Sequence, residues 1–250
     1  MSISKNTGKL IKSLHLKKYR KEEGLFLVEG EKSIIELLES DFEIINIYVT
    51  RDVFENYRES FRKFDEIIHI SDTEELTKLS TLEYNDTGIA VVKQKENIEI
   101  SIEEDDELIV ALDDIRDPGN LGTIIRTCDW YGIKKIVCSE TTAEFYNNKT
   151  ISASMGSFTR VEVCYTDLSN FLQNNKIPVL GAYLDGVDVH TFKYPKQAIL
   201  LMGSESNGIN KELEKYVTGK ITIPKYGNAE SLNVSMATGI ILDNLKRNSK

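Results

Sequence analysis

Long hydrophobic runs are missing from this 250-residue chain. The longest, such as residues 198–202, fall far short of the roughly 20 apolar residues that cross a bilayer. The opening MSISKNTGKL has no apolar segment of the secretory kind, so no signal peptide is expected. Cysteine is scarce: Cys128, Cys138 and Cys164 are odd in number, and none lies in a CxxC pair. This argues against a disulfide framework and against zinc, and it fits a reducing compartment. The expected location is the cytoplasm. Histidine is limited to His15, His69 and His190, in unrelated contexts, which leaves a Ser–His hydrolase with little support. No internal repeat or low-complexity tract is visible.

Positive charge is also in deficit. The chain has 40 Asp and Glu against 31 Lys and Arg, a net charge of −9. As an average, this argues against nucleic acid as a partner. The first 21 residues reverse the balance, with Lys5, Lys9, Lys12, Lys17, Lys18, Arg20 and Lys21 and no acid. Such an arm can meet phosphate, although a solvated helix face would look the same. The rest is ordinary, at 28% charged and 40% hydrophobic, with length for one large or two modest cores.

The hydrophobic pattern predicts helices over residues 9–21, 31–39, 53–64 and 72–79. It predicts strands over 25–28, 44–49, 66–70 and 89–93. The acid-rich stretch NIEISIEEDDE, residues 97–107, reads as a boundary, giving domains 1–105 and 106–250. Beyond it, strands are expected at 108–112, 135–138, 161–164, 178–183, 197–202 and 220–223. Helices are expected at 120–131, 147–157, 168–174, 209–217 and 231–247. Repeated βα units predict an α/β fold with a mostly parallel sheet covered on both faces. Ligands in such folds sit beyond the carboxyl ends of the strands.

Three of those strand ends carry unusual residues. In LDDIRDPGNLGTIIRTCDWYG, residues 112–132, Asn120 is a good helix cap, and Gly122 and Arg126 share one helix face. In AILLMGSESNGIN, residues 198–210, Gly203 and Gly208 bracket Ser204, Glu205, Ser206 and Asn207. Glycines there let backbone N–H groups approach a ligand, but an ordinary βα turn explains them too. Ile209 stands where a Walker loop needs Lys, and Ser204 where a nucleophile elbow needs Gly. In IPKYGNAESLNVSMATG, either Ser231 or Asn233 can cap a largely apolar last helix. Asp113, Asp114 and Asp117 match no metal-site spacing, and no metal is expected.

In this order the three loops resemble the motifs of the SpoU (TrmH-type) RNA 2′-O-ribose methyltransferases of the SPOUT superfamily. The first is similar to Asn120-x-Gly122-x-x-x-Arg126 with Gly132, and the second to Gly203-Ser204-Glu205-x-x-Gly208. The third resembles Ile223-Pro224 followed by Ser231-Leu232-Asn233-Val234-Ser235. RKEEGLFLVEGEKSI, residues 20–34, resembles the opening of the family's ribosomal-protein L30e-like RNA-binding domain. The tail LEYNDTG departs from that domain's pattern by lacking a proline before Gly88.

The resemblance implies a catalytic domain ending in a trefoil knot, and S-adenosylmethionine as cofactor. It implies that Leu180, Gly181, Ala182, Met202, Gly203, Ile223, Ser231 and Leu232 surround that cofactor. Arg126, Asn120, Glu205, Ser231 and Asn233 would be the catalytic group. An RNA substrate, ribosomal before transfer RNA, and a homodimer through the last helix are implied as well. The alternative is a non-catalytic RNA-binding or ribosome-assembly protein that keeps the fold.

Overall fold

The computed structural model describes residues 3–103 and 108–248. The predicted boundary at 105/106 lies outside the described residues. Two compact units emerge. One holds the chain up to Glu96 together with Glu144–Thr159, the other Asn97–Ala143 and the chain from Arg160 onward.

The first unit contains α1 (Lys5–Ser13), α2 (Lys17–Glu23), β1 (Leu25–Glu29), α3 (Glu31–Leu38) and β2 (Ile44–Val49). Then come α4 (Arg51–Asn56), α5 (Arg58–Phe61), β3 (Ile68–Ile70), α6 (Thr73–Leu79) and β4 (Gly88–Lys93). The sheet order is β1-β4-β2-β3, with β4 antiparallel to both neighbours and β2 parallel to β3. Ile11, Leu14, Leu76 and Leu79 pack with Leu27, Ile89 and Val91 of the sheet. Phe26, Phe42 and Phe158 cluster with ring centroids 5.7–6.3 Å apart, which fastens the returning segment 144–159.

The single basic helix predicted over 9–21 is broken at Leu14–Leu16. Ile11 and Arg20 are nine residues apart, so one continuous helix would point them in opposite directions. The break lets both go inward, at 0% and 1% exposure. Arg20 therefore departs from the expectation that it meets RNA. Its Nε and Nη2 donate to the Glu144 carboxylate at 3.0 and 2.6 Å, and its Nη1 donates to the carbonyls of Leu14 and His15. It is a structural staple, while the other six basic residues of the arm are exposed.

The second unit runs β5 (Leu108–Leu112), α7 (Pro118–Trp130) and β6 (Lys135–Cys138). The excursion of the chain into the first unit contains α8 (Asn148–Ser154). The second unit then resumes with β7 (Glu162–Tyr165), α9 (Leu168–Asn174), β8 (Val179–Asp188) and β9 (Ala198–Met202), followed by α10 (Lys211–Glu214), β10 (Gly219–Thr222) and α11 (Val234–Asn248). Every pairing in the order β10-β8-β9-β5-β6-β7 is parallel. β5 and β9 are fully buried neighbours from which the chain order departs in opposite directions. That is the switch point at which such sheets bind ligands.

Other helices differ from the pattern. The helix predicted over 53–64 is split into α4, α5 and a 3-10 turn. The one predicted over 147–157 ends at Ser154, where Met155 turns left-handed at φ 51°. The one predicted over 209–217 shrinks to α10, capped by Asn210. Among the described residues no helix is long and apolar enough to cross a membrane.

Candidate active site

The three loops at the switch point meet. Leu112 and Met202 are partners in the sheet, so the chains leaving β5 and β9 start side by side. Asp117, not Asn120, caps α7: its Oδ1 accepts from Asn120 N at 2.9 Å, with Pro118 in the first turn. This frees the Asn120 side chain. Its Nδ2 donates to Glu205 Oε1 at 3.1 Å. Asn233 Nδ2 donates to Asn120 Oδ1 at 3.0 Å and to Glu205 Oε1 at 2.8 Å. Residues far apart in sequence thus form one closed hydrogen-bonded group.

Asn233 serves twice. Its Oδ1 accepts from Ser235 N at 3.0 Å and Met236 N at 3.4 Å, which makes it the cap of α11. Its amide nitrogen is left to face Asn120 and Glu205. Glu205 Oε1 also accepts from Val234 N at 3.4 Å, a favourable place for a carboxylate at a helix start. Ser231 lies ahead of α11 and does not cap it.

The Gly203–Gly208 loop is held shut by Ser204 and Gly208, which exchange backbone hydrogen bonds of 3.1 and 2.9 Å. Gly208 adopts φ 66°. A Cβ on Gly203 would lie 2.1 Å from the Gly208 carbonyl carbon. Asp113, 7% exposed, braces the loop's exit by accepting from Asn210 N at 2.7 Å. Burial pushes its carboxyl above the usual carboxylate range; the Asn210 bond opposes that shift, and the nearby Asp114 adds to it. The three acids considered for a metal thus have local partners: Asp113 with Asn210, Asp114 with Arg116, Asp117 with α7.

Beside this group lies a cavity of about 640 Å³. Six of the eight residues expected around the cofactor line it: Ala182, Met202, Gly203, Ile223, Ser231 and Leu232. Leu180 and Gly181 do not; they are buried within β8, where Gly181 makes room for the Tyr183 ring. Tyr183, Asp185, Glu214 and Lys225 also line the cavity and were not singled out from the sequence. For Tyr183 and Asp185 the available signal was their place near the carboxyl half of a parallel strand. Burial, then the charges of Glu214 and Asp185, push the Tyr183 phenol up. Arg126 stands apart. It is exposed on α7, with no hydrogen-bond or ion-pair partner among the described residues, and it does not line the cavity.

Residues 107–243 match the SpoU rRNA Methylase family. This chain belongs to that family. Residues 5–90 of the SpoU-family chain match the MRM3-like substrate binding domain. It is 29% identical over 245 residues to the 23S rRNA (guanosine(2553)-2′-O)-methyltransferase RlmP of Bacillus subtilis, covering 94% of each. It is 30% identical over 146 residues to the tRNA (guanosine(18)-2′-O)-methyltransferase of Aquifex aeolicus, covering 56% of this chain and 69% of that one. An AdoMet-bound rRNA methyltransferase from Sinorhizobium meliloti superposes with a TM-score of 0.87 at 29% identity, over 99% of this chain and 96% of that one. A TrmH-family protein from Porphyromonas gingivalis gives 0.88 at 32% identity, over 99% of both chains.

Proposed function

We propose that this SpoU-family chain transfers a methyl group from S-adenosylmethionine to the 2′-hydroxyl of a ribose in RNA. The observation that carries this reading is the joining of Asn120, Glu205 and Asn233 beside the cavity at the switch point. Ribosomal RNA is the favoured substrate. The whole-length relative, matched over 94% of its chain, is named for 23S rRNA, whereas the tRNA enzyme matches over 56% of this chain.

The residues present fit the cofactor. Met202, Ile223, Leu232 and Ile241 offer apolar walls for an adenine, while Asp185 and Glu214 offer acceptors for hydroxyl or ammonium groups. When bound, S-adenosylmethionine supplies an electrophilic methyl on a sulfonium. The chain must then orient the ribose and stabilise the oxygen as its proton passes out to solvent. Asn120 and Glu205 orient the ribose, and Ser231 and Asn233 shape the wall between the two sites. Arginine stays protonated, so Arg126 acts by stabilising the developing alkoxide or by clamping the adjacent phosphate through its fork. The same reading takes the protein to be cytoplasmic, with the trefoil knot of its family and a homodimer through the last helix. Exposed Trp130 on α7 and Met236 on α11, at 84% and 62%, support such an interface.

Overpacking costs about 1–3 kcal/mol, so Gly203→Ala is expected to weaken S-adenosylmethionine binding by about ten- to hundredfold in calorimetry. Unchanged affinity would separate the loop from the cofactor site. RNA affinity should fall with salt through the exposed lysines. Replacing Lys5, Lys9 and Lys12 with alanine should reduce the slope of log affinity against log salt by up to about 2–3. An unaltered slope removes the arm from the interface.

A further inference from the structure

The first unit carries a cavity of its own, about 520 Å³, at the carboxyl ends of β2 and β3. Its rim is fixed. Thr50 donates through N to Thr87 O and through Oγ1 to Asp86 O, both at 2.9 Å. Asn85, 1% exposed, holds the same turn by accepting from Thr87 N at 3.1 Å and Gly88 N at 2.9 Å. Ser71 lines the cavity, is 7% exposed, and its hydroxyl is buried with no hydrogen-bond partner among the described residues. Buried hydroxyls are almost always paired, so this one asks for a partner.

The chemistry of the other walls selects the ligand. Asp52 and Asp72 both line the cavity, which disfavours a phosphate. Asp72 Oδ1 is engaged as the cap of α6, accepting from Glu75 N at 2.8 Å. Asp52 is exposed and has no partner among the described residues. Arg51 makes a 3.9 Å ion pair with Glu55, with both side chains largely exposed. Ile70 adds an apolar surface. A carboxylate acceptor next to hydroxyl and guanidinium donors suits the edge of a base that carries both donors and an acceptor. The Watson–Crick edge of guanine does, with N1–H and N2–H beside O6.

We propose that this cleft docks an unpaired guanine of the RNA substrate. Asp52 accepts from N1–H and N2–H, and Ser71 donates to O6. The base must be unpaired because that edge is consumed in a duplex. This rests on RNA being the substrate. It is tested with the full chain and single-stranded uridine heptamers whose central base is G, A, C or U, by fluorescence anisotropy at one salt concentration. The central-G heptamer should bind about tenfold tighter than the others, the discrimination typical of one two-bond base contact. Asp52→Asn and Ser71→Ala should each cut that preference to a small residue while leaving the melting temperature and S-adenosylmethionine affinity unchanged. Equal binding of all four heptamers, or a G preference that survives both substitutions, overturns the proposal. If no heptamer binds while S-adenosylmethionine does, the cleft proposal fails and the methyl-transfer reading stands. If the G preference is present and both variants lose it, but no methyl transfer to RNA is found, the cleft stands and that reading fails.

Discussion

Arg126→Ala is expected to lower methyl transfer by about 10²–10³-fold, the scale seen when one charge-stabilising donor is removed from a reacting oxygen. S-adenosylmethionine affinity should stay nearly unchanged, because Arg126 does not line the 640 Å³ cavity. Folding should be spared as well. Arg126 is exposed on α7 and has no partner among the described residues, so its removal leaves no buried charge uncompensated. Arg126→Lys separates two roles. Lysine keeps the charge and loses the planar fork, so near-full activity would count against bidentate clamping of a phosphate. Calorimetry alongside single-turnover methyl transfer reads both quantities. An alanine variant with near-normal turnover on its true RNA would remove Arg126 from the mechanism.

Arg20→Ala is expected to have the largest effect on stability, about 3–5 kcal/mol, as when one partner of a buried ion pair is removed. The Arg20 side chain is 2% exposed and the Glu144 side chain 15%. Truncation strands the carboxylate and leaves the Leu14 and His15 carbonyls without their donor. Against a typical domain stability of about 5–15 kcal/mol, that is a large fraction. Arg20→Met combined with Glu144→Gln removes both charges at once and should cost clearly less than Arg20→Ala. Chemical denaturation of the set measures this; an Arg20→Ala variant within about 1 kcal/mol of the parent would contradict the staple.

Arg20 also marks the limit of what the sequence could say. Its position among six lysines makes it look like one more phosphate contact, and only the partner at Glu144 gives it away. Elements whose pattern is local were legible. β2, β5, β6 and α9 have the predicted bounds, since their apolar runs and flanking polar residues lie in one short window. Elements set by distant partners were not. β8 extends to Asp188 because its far half pairs with β10, and Gly186 is needed where a Cβ would come within 2.8 Å of the Lys220 and Ile221 backbone. The helix expected at 209–217 shrinks because Gly208 turns left-handed and Asp113 holds Asn210 N, so α10 starts only at Lys211. At the candidate site, Asn120, Glu205 and Asn233 could each be picked out, but ordinary turn or capping duties explained each one. Their shared hydrogen bonds exist only once β5 and β9 lie side by side.

Methyl transfer to the ribose can be read directly. The most direct measurement incubates the protein and isotopically labelled S-adenosylmethionine with ribosomal RNA from cells lacking the enzyme. Digestion to nucleosides and mass spectrometry then locate the label. Label is expected in a single 2′-O-methylated nucleoside, and is lost with Arg126→Ala. Label on a base, or no transfer to RNA by protein that binds S-adenosylmethionine, would contradict methyl transfer to the ribose.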